Sequence, residues 1–236
     1  MTNTEKKRAL VFAPHPDDEI IGCGGSIVKL LATGWEVFVA LAGDTTNISA
    51  AHMTRSKYIN ARMKEIPLAL AALSINTGHT IMGSENNPWH YSEENVRDWA
   101  LQTIRQIRPH RVYLPHPEDA HVDHKIVGRA VLDAVSMAPS NWFLEYDSQL
   151  ANCPPVETVL AYEVWTLFSN PTYYEALTAE QVETAMAALS MYQSQETFKY
   201  EPAYLHRAAL RAIMHEGPVG QFAEAFMIMK IKTTSL

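Results

Sequence analysis

Two short clusters of histidine and acidic residues carry most of the chemistry that this sequence offers. The first is PHPDDE, and the second, further along the chain, is PHPEDAHVDH. His15 lies three residues before Asp18, and His121 lies three residues before His124. At the start of a helix this spacing brings both side chains of a pair towards one point. Imidazole and carboxylate groups without thiolates suit a catalytic zinc site, in which three protein ligands leave a position for water.

The segments around the two clusters place them at corresponding points of a sheet. Strand-like apolar runs precede them, Ala9–Ala13 for the first and Arg111–Leu114 for the second. Segments with helical spacing of apolar residues follow them, Glu19–Ala32 and Asp123–Val135. Either cluster alone has the pattern of a helix cap. Because ligands of open α/β sheets bind beyond the carboxyl ends of the strands, two such clusters together favour a shared metal site.

The rest of the chain continues the alternation of strands and helices. Further strands are predicted at Trp35–Leu41, His79–Met82, Thr158–Leu167 and Ala225–Ile231, and further helices at Arg55–Leu73, Ser92–Arg108, Thr178–Met191 and Tyr204–Met214. Gly83–Trp89 is predicted to be a loop, and Pro139–Pro155 irregular. Pro67 is expected to kink or interrupt its helix. This order predicts an α/β, three-layer, Rossmann-like fold with a mostly parallel sheet, in a single domain over residues 1–236.

Composition and charge limit the classes of function. The chain has 236 residues, of which 47% are hydrophobic and 19% charged, as in an ordinary globular domain. A chain of this size buries roughly 70–75% of its unfolded surface, which is enough for a core and a concave site. The formal net charge is −7, from 19 Lys+Arg and 26 Asp+Glu, and no basic run is present. Nucleic acid is therefore not an expected partner.

Cysteine usage and hydropathy indicate a compartment. Cys23 and Cys153 are too few and too far apart to form a disulfide framework or a thiolate zinc site, which favours a reducing environment. The apolar run Ala9–Ala13 is shorter than the roughly 7–15 residues of a signal-peptide core. No stretch approaches the roughly 20 apolar residues of a membrane span. We expect a cytoplasmic protein without a membrane span, and the sequence leaves homo-oligomerisation open.

The segment VFAPHPDDEIIGCGG, together with HPEDAHVDHKIVGRAV, resembles the PIG-L/LmbE-like family of zinc-dependent de-N-acetylases, which hydrolyse N-acetylglucosaminyl conjugates. The later segment GQFAEAF is similar to the closing strand of that family. The resemblance implies an LmbE-like fold. It also implies a zinc-dependent hydrolase that removes the N-acetyl group from a small N-acetylglucosamine-type conjugate.

The resemblance further implies roles for individual residues. His15, Asp18 and His124 would bind Zn²⁺, and Asp17 would be the general base that takes a proton from the attacking water. His121, in its protonated form, would stabilise the oxyanion or deliver a proton to the leaving amine. The alternative for His121 is a histidine that only supports a ligand or lies in solvent.

Residues around this set have less certain roles. Arg62 is similar to a substrate-contacting arginine of the family, which would bind a hydroxyl or acidic group of the sugar conjugate. The alternative is a solvated helix arginine paired with Glu65. Asp123 is expected to orient a ligand histidine, and Glu19 either does the same or is a favourable acid in the first helical turn.

In one position the sequence departs from the family. Some relatives have an aromatic hydroxyl two residues before the equivalent of His121, where this chain has Asp119. A tyrosine that stabilises the oxyanion must then come from elsewhere, and Tyr162 and Tyr192 are the candidates. The glycines at 22, 24 and 25 lack the spacing of a dinucleotide-binding fingerprint and are interpreted as close-packing residues.

Two other functions remain compatible with these residues. One is hydrolysis of an amide on a non-sugar natural product by the same metal chemistry. The other is a catalytically inactive sugar-binding protein. The second is disfavoured because the residues with implied roles in metal binding and catalysis are all intact: His15, Asp17, Asp18, His121 and His124. A protein that has lost its activity normally tolerates loss of the base.

Overall fold

The computed structural model of this protein describes residues 6–43, 54–82, 92–140, 151–198, 200–215 and 221–231. Its strands are β1 (Arg8–Ala13), β2 (Glu36–Leu41), β3 (His79–Ile81), β4 (Arg111–Pro115), β5 (Thr158–Tyr162), β6 (Tyr173–Leu177) and β7 (Phe222–Ile231). Its helices are α1 (Asp18–Ala32), α2 (Arg55–Ala72), α3 (Glu93–Ile107), α4 (Val122–Met137), α5 (Ala179–Leu189) and α6 (Tyr200–Met214), with a 3₁₀ helix at Gln193–Phe198.

The strands form one seven-stranded sheet in the order β3-β2-β1-β4-β5-β7-β6. The first five strands in this order pair in parallel, and β7 runs antiparallel to both β5 and β6. The predicted mostly parallel α/β sheet is therefore confirmed. Because the chain moves from β1 to β2 on one side and β4 lies on the other, the carboxyl ends of β1 and β4 flank a topological switch point.

Helices cover both faces of the sheet, so there are three layers. Residues alternate along β1: Val11 packs in one core with Ile27 of α1 and Val182 of α5. Phe12 packs in the other core with residues of α3 and α4, such as Val131. Residues Ala9 to Ala13 have no solvent exposure, as expected for a strand that is buried on both faces.

Helix caps occur where the sequence placed them. The side chains of Ser92 and Thr178 accept hydrogen bonds from the backbone N–H groups of Asn95 and Gln181, which begin α3 and α5. Pro67 lies inside α2 without ending it, so the predicted interruption is wrong.

The close-packing interpretation of the glycines in α1 is also supported. A Cβ atom at Gly22 would lie 2.1 Å from the Tyr162 ring, and one at Gly25 would lie 2.4 Å from Leu177. Only glycine lets α1 lie this close to β5 and β6.

Several elements differ from the prediction, among them the start of β7, which is Phe222 rather than Ala225. The strand predicted at Thr158–Leu167 ends at Tyr162. Beyond it, the backbone N–H groups of Trp165 and Thr166 donate to the Asp119 carboxylate and not to a neighbouring strand. Strand β6 was not predicted, since its partly exposed edge position leaves no clear apolar pattern. The last helix begins at Tyr200 rather than Tyr204, because Pro202 is tolerated in a first helical turn.

Some predictions fall outside the described residues. The Gly83–Trp89 loop does so entirely, and residues 141–150 of the predicted irregular segment do so as well. Among the helices that the structure describes, none combines the length and apolar character needed to cross a membrane.

Candidate metal centre

The two histidine and acidic clusters meet at the carboxyl edge of the sheet. His15 and Asp18 lie between β1 and the first turn of α1, and His121 and His124 lie between β4 and the first turn of α4. Because β1 and β4 are neighbouring parallel strands, the two loops face each other across the switch point. The predicted convergence of the clusters is therefore seen in the structure.

His15, Asp18 and His124 offer one ligand atom each within 4.8 Å of one another, and all three side chains are buried. Asp18 Oδ2 lies 3.1 Å from Nδ1 of His15 and 3.2 Å from Nε2 of His124. These are the three residues that the family resemblance implies as metal ligands. Two imidazoles and one carboxylate without a thiolate are a donor set that zinc accepts.

The surroundings of His124 fit a bound cation. Its side chain has no solvent exposure and lies beside the carboxylates of Asp18 and Asp119, yet neither ring nitrogen has a hydrogen bond of good geometry with any residue that the structure describes. Buried polar atoms are rarely left in this state. A metal ion bound at Nε2 would satisfy that nitrogen, so the residues fit the group.

The pKa shifts of Asp18 and His124 also fit a site for a cation. Burial opposes ionisation of Asp18, but His124 and His15 hold the pKa of that carboxyl well below its usual range. Burial likewise lowers the pKa of His124, and Asp18 and Asp119 outweigh it and raise that pKa. The buried carboxylates thus favour positive charge at the imidazoles, as expected of a site that holds a cation.

Asp123 orients His15, as the sequence predicted. Its Oδ2 atom lies 3.0 Å from Nε2 of His15, while Nδ1 of that ring faces Asp18. A carboxylate on the second nitrogen fixes the ring and its tautomer. His15, His121 and Asp123 also form a second set of possible ligand atoms within 4.8 Å. This set shares His15 with the first and is partly exposed.

His121 is the N-cap of α4, and this fixes its tautomer. Its Nδ1 atom accepts a hydrogen bond of 3.2 Å from the backbone N–H of Asp123, so its proton lies on Nε2. Burial, and then the neighbouring His15 and His124, lower the pKa of His121. The neutral ring with an Nε2–H donor is therefore the favoured form in this structure.

Asp17 has the most constrained backbone of the site. Its φ is 116°, in the left-handed region that favours glycine. Glu19 Oε2 accepts the Asp17 N–H at 3.0 Å, and the N–H groups of Ile20 and Ile21 donate to the Asp17 carbonyl. Burial raises the pKa of Asp17 to about 6, although the Arg62 guanidinium opposes this.

Arg62 is fully buried beside Asp17. Its Nη2 donates to Asp17 Oδ2 at 3.1 Å and to the Pro16 carbonyl. Glu65 instead accepts hydrogen bonds from Ser194, so the alternative of a solvated arginine paired with Glu65 is wrong. Within the described part of the chain, Nε and Nη1 of Arg62 have no hydrogen-bond partner.

The hydroxyl groups of the two tyrosines considered for oxyanion stabilisation donate hydrogen bonds to other groups of the protein. The Tyr162 hydroxyl donates to the Phe12 carbonyl, and the Tyr192 hydroxyl donates to Glu19, each at 2.7 Å. Both side chains are buried. Glu19 accordingly supports Asp17 and binds Tyr192, which is more than a favourable first-turn acid does.

Sequence reasoning missed the role of Asp119. Its carboxylate accepts the backbone N–H groups of His121, at 2.9 Å, and of Trp165 and Thr166, at 3.1 and 3.2 Å. It also lies 3.8 Å from Nδ1 of His124. Asp119 therefore ties the β4–α4 loop to the segment after β5. The only sequence signal was an acid within the second cluster, where a relative has an aromatic residue.

The fold and the site together define an α/β protein with a buried His/Asp cluster that could hold a metal ion, at the switch point of its sheet. The chain belongs to the PIG-L family, described as GlcNAc-PI de-N-acetylase, whose match covers residues 10–135, more than half of the chain. Both clusters lie within the matched residues.

One curated relative is the diacetylchitobiose deacetylase of Thermococcus kodakarensis. It is 31% identical over 137 residues, which cover 56% of this chain and 50% of the relative. The chain thus matches about half the length of that protein.

Solved structures share the fold over nearly the whole chain. The N,N'-diacetylchitobiose deacetylase from Pyrococcus horikoshii has a TM-score of 0.78 at 22% identity and covers 95% of this chain and 84% of that protein. The 4-carboxy-2-hydroxymuconate hydratase GalB from Pseudomonas putida KT2440 has a TM-score of 0.75 at 18% identity, covering 98% and 99%. At these identities the likeness shows the fold alone.

Proposed function

We propose that this protein is a zinc-dependent de-N-acetylase, which hydrolyses the acetamide of a small N-acetylglucosamine-type conjugate. The observation that carries the proposal is the buried convergence of His15, Asp18 and His124 beside the constrained carboxylate of Asp17. Membership of the PIG-L family, and a relative that is a diacetylchitobiose deacetylase, support the substrate class. The fold alone does not select this reaction, since a hydratase shares it.

His15, Asp18 and His124 would hold the zinc ion. The chemistry that zinc supplies in such a site is polarisation of a carbonyl and a lowered pKa of water. Asp18 is held ionised by both histidines, and Asp123 fixes the ring of His15, so the donors are set in place by the protein.

Asp17 is the general base in this proposal. Water adds to the acetyl carbonyl carbon, and its proton passes to the Asp17 carboxylate. The acetamide C–N bond then breaks, the nitrogen leaves as the free amine after taking up a proton, and acetate is the second product. A pKa of about 6 leaves Asp17 ionised at neutral pH and basic enough to accept a proton.

His121 is a polar donor beside the reacting amide, and Arg62 positions the base. The Nε2–H of neutral His121 can donate to the carbonyl oxygen as negative charge develops there, without the protonated ring that the family resemblance implied. Arg62 is fully buried and holds Asp17 through its Nη2, and a contact between its other guanidinium nitrogens and the substrate stays a prediction.

The test is acetate release by metal-stripped protein, with and without added zinc. The substrates are N-acetylglucosamine, N,N'-diacetylchitobiose, simple N-acetylglucosaminides and a set of non-sugar acetamides. We expect release from amino sugars only when zinc is present. Asp17→Asn should reduce it by about 10²–10⁴-fold, the usual contribution of a general base. His79→Gln, which removes an exposed imidazole from β3, is the matched control and should release acetate normally.

Three outcomes would contradict parts of the proposal. Release only from the non-sugar acetamides would move the substrate class to other natural products. Binding of one zinc per chain without release from any substrate would instead favour a sugar-binding role, provided that N-acetylglucosamine binds. An Asp17→Asn variant as active as the parent would remove Asp17 from the role of base.

A further inference from the structure

A cavity of about 360 Å³ opens between α6 and the segment that follows β5. We call it the α6 cavity. Its walls include Ile21 from α1, Trp165 and Leu167 from the segment after β5, and Tyr200 and Leu210 from α6. Its volume lies at the lower end of the roughly 300–1,000 Å³ of small-molecule sites. The cavity therefore suits a small group and not a polymer.

The walls of the α6 cavity lie beside the candidate metal centre. The N–H of Trp165 donates to Asp119, which also accepts the N–H of His121. On the opposite wall, Ile21 lies one helical turn after Asp18 in α1, and its carbonyl accepts a hydrogen bond from Arg207. The cavity and the candidate metal centre are therefore neighbours at the same edge of the sheet.

Tyr200 also lies close to Asp17 and Asp18. Burial, followed by the negative charges of Asp17 and Asp18, raises the pKa of the Tyr200 hydroxyl above its ordinary value. Tyr200 also lines the α6 cavity, where its ring meets Trp165 edge to face with centroids 6.1 Å apart. This side chain thus borders the cavity and lies within the field of the site.

The lining of the cavity has little capacity for polar ligands. The Tyr204 hydroxyl donates to Glu224, and Arg207 donates to the carbonyls of Ile21 and Glu163. The remaining polar groups of the lining belong to His206, on the exposed side of α6, and to the mainly apolar side chains of Tyr200 and Trp165. A second sugar ring would lose water here without gaining equivalent hydrogen bonds.

Apolar side chains, by contrast, are left uncovered around the cavity. Trp165 is 51% exposed, Leu167 46% and Leu210 44%. An alkyl or aryl group placed among them would remove their apolar surface from water and stabilise the complex.

We propose that the α6 cavity binds an apolar aglycone, an alkyl or aryl group on the anomeric oxygen of the amino sugar, while the acetamide lies at the metal centre. This inference rests on the proposed function and names the substrate class within it. It makes Trp165, Leu167 and Leu210 specificity-determining residues.

The test compares methyl, butyl and octyl N-acetyl-β-D-glucosaminides with N,N'-diacetylchitobiose on the zinc-loaded protein. We expect kcat/KM to rise with chain length, by at least about tenfold from methyl to octyl, mainly through KM. Leu210→Glu places a charge in the cavity and should remove the preference for longer alkyl chains. Ile213→Glu is the matched control, since Ile213 lies on the same helix, is 81% exposed and is outside the lining.

Failure of this inference differs from failure of the proposed function. Equal kcat/KM for all glycosides, or a preference for diacetylchitobiose, would overturn the aglycone site while the deacetylase activity stands.

If no substrate releases acetate, the proposed function fails, and calorimetric titration with the methyl and octyl glycosides still tests the cavity. Tighter octyl binding that Leu210→Glu abolishes would support it, and equal affinities would overturn it. Dissociation of an oligomer by Leu210→Glu, without any chain-length preference, would assign the cavity to a contact between copies of the chain.

Discussion

Asp17 combines a costly backbone conformation with a buried charge. A non-glycine residue at a φ of 116° costs of order 1–3 kcal/mol and persists only when its surroundings hold it. Glu19 holds the N–H of Asp17, and Arg62 holds its carboxylate. The adjacent Asp18 faces His15 and His124, so this backbone directs two neighbouring carboxylates to different partners.

Replacing Arg62 with Met should therefore be destabilising. Arg62→Met leaves the buried Asp17 charge without its partner, which costs about 3–5 kcal/mol in comparable buried pairs. Asp17→Asn in the same chain removes that charge, so the double variant should be less destabilised than the sum of the two single variants. Urea denaturation of all four proteins measures this coupling.

The control for this cycle is Arg97→Met, which removes an exposed ion pair with Asp98 and should change stability by less than about 1 kcal/mol. Additive effects of Arg62→Met and Asp17→Asn would show that the two side chains do not support each other.

His116, in the β4–α4 loop, should make the unfolding free energy of the protein depend on pH. Its ring stacks on Phe168 with centroids 4.3 Å apart, and its Nδ1 accepts the N–H of Glu118 at 2.9 Å. Burial lowers the pKa of His116 below 6.5, so the folded protein binds fewer protons here than the unfolded chain. The unfolding free energy should consequently fall as pH drops through 6.5 and below.

His116→Asn separates this contribution from those of the other titrating groups. The Asn Oδ1 atom can replace Nδ1 as the acceptor, but it does not titrate. We expect its unfolding free energy to decline less steeply than that of the parent between about pH 7.5 and about pH 5.5, measured by urea denaturation. Parallel declines would exclude His116 as a source of the pH dependence.

Helix α1 contains a kink in its middle, and a side chain from a distant strand caps the residues after it. Cys23 has φ −151° and ψ 30°, which interrupts the helical conformation shortly after Asp18. The N–H groups of Gly25 and Ser26 then donate to the Glu224 carboxylate of β7, each at 2.9 Å. Glu224 thus caps the second half of α1 as an N-cap side chain would.

Loss of this cap should be costly. Glu224→Ala leaves the N–H groups of Gly25 and Ser26 buried without this acceptor, and we expect a loss of about 2–4 kcal/mol in unfolding free energy. Glu224→Gln retains one acceptor oxygen and should lose less. Urea denaturation of the three proteins tests this order, and equal stability of the Ala variant and the parent would show that the break needs no cap.

The sequence predicted elements and local spacing better than long-range contacts. Both clusters, their strands and the helices after them follow from apolar periodicity and from residues three positions apart. That β1 and β4 are neighbours does not follow from these patterns, although it brings His15 within reach of Asp123. The partners of Arg62 and Glu224 were missed for the same reason: each lies far away in the chain, and no local pattern records which buried charge will meet which donor.

At the scale of the whole molecule, the candidate metal centre draws its residues from two halves of the sheet. His15 and Asp18 belong to the half that contains β1, β2 and β3, whereas His124 belongs to the half that begins with β4. The strands meet through only three register pairs between β1 and β4, from Ala9 to Val11. Above them, Asp18 faces histidines from both halves, so a bound cation would link the two loops across the crevice.

Metal binding should therefore stabilise the entire fold and not the site alone. A ligand that binds only the folded state at about 100 times its Kd adds about 2.7 kcal/mol. For a chain of this size that corresponds to a rise in Tm of roughly 5–10 °C. We expect this increase when zinc is added to metal-stripped protein in a thermal unfolding scan, with one zinc per chain. His124→Asn removes the ligand from the β4 half and should abolish the increase, whereas His79→Gln should retain it. An equal rise in Tm for the His124→Asn variant would show that zinc stabilises the protein elsewhere and does not join the two halves of the sheet.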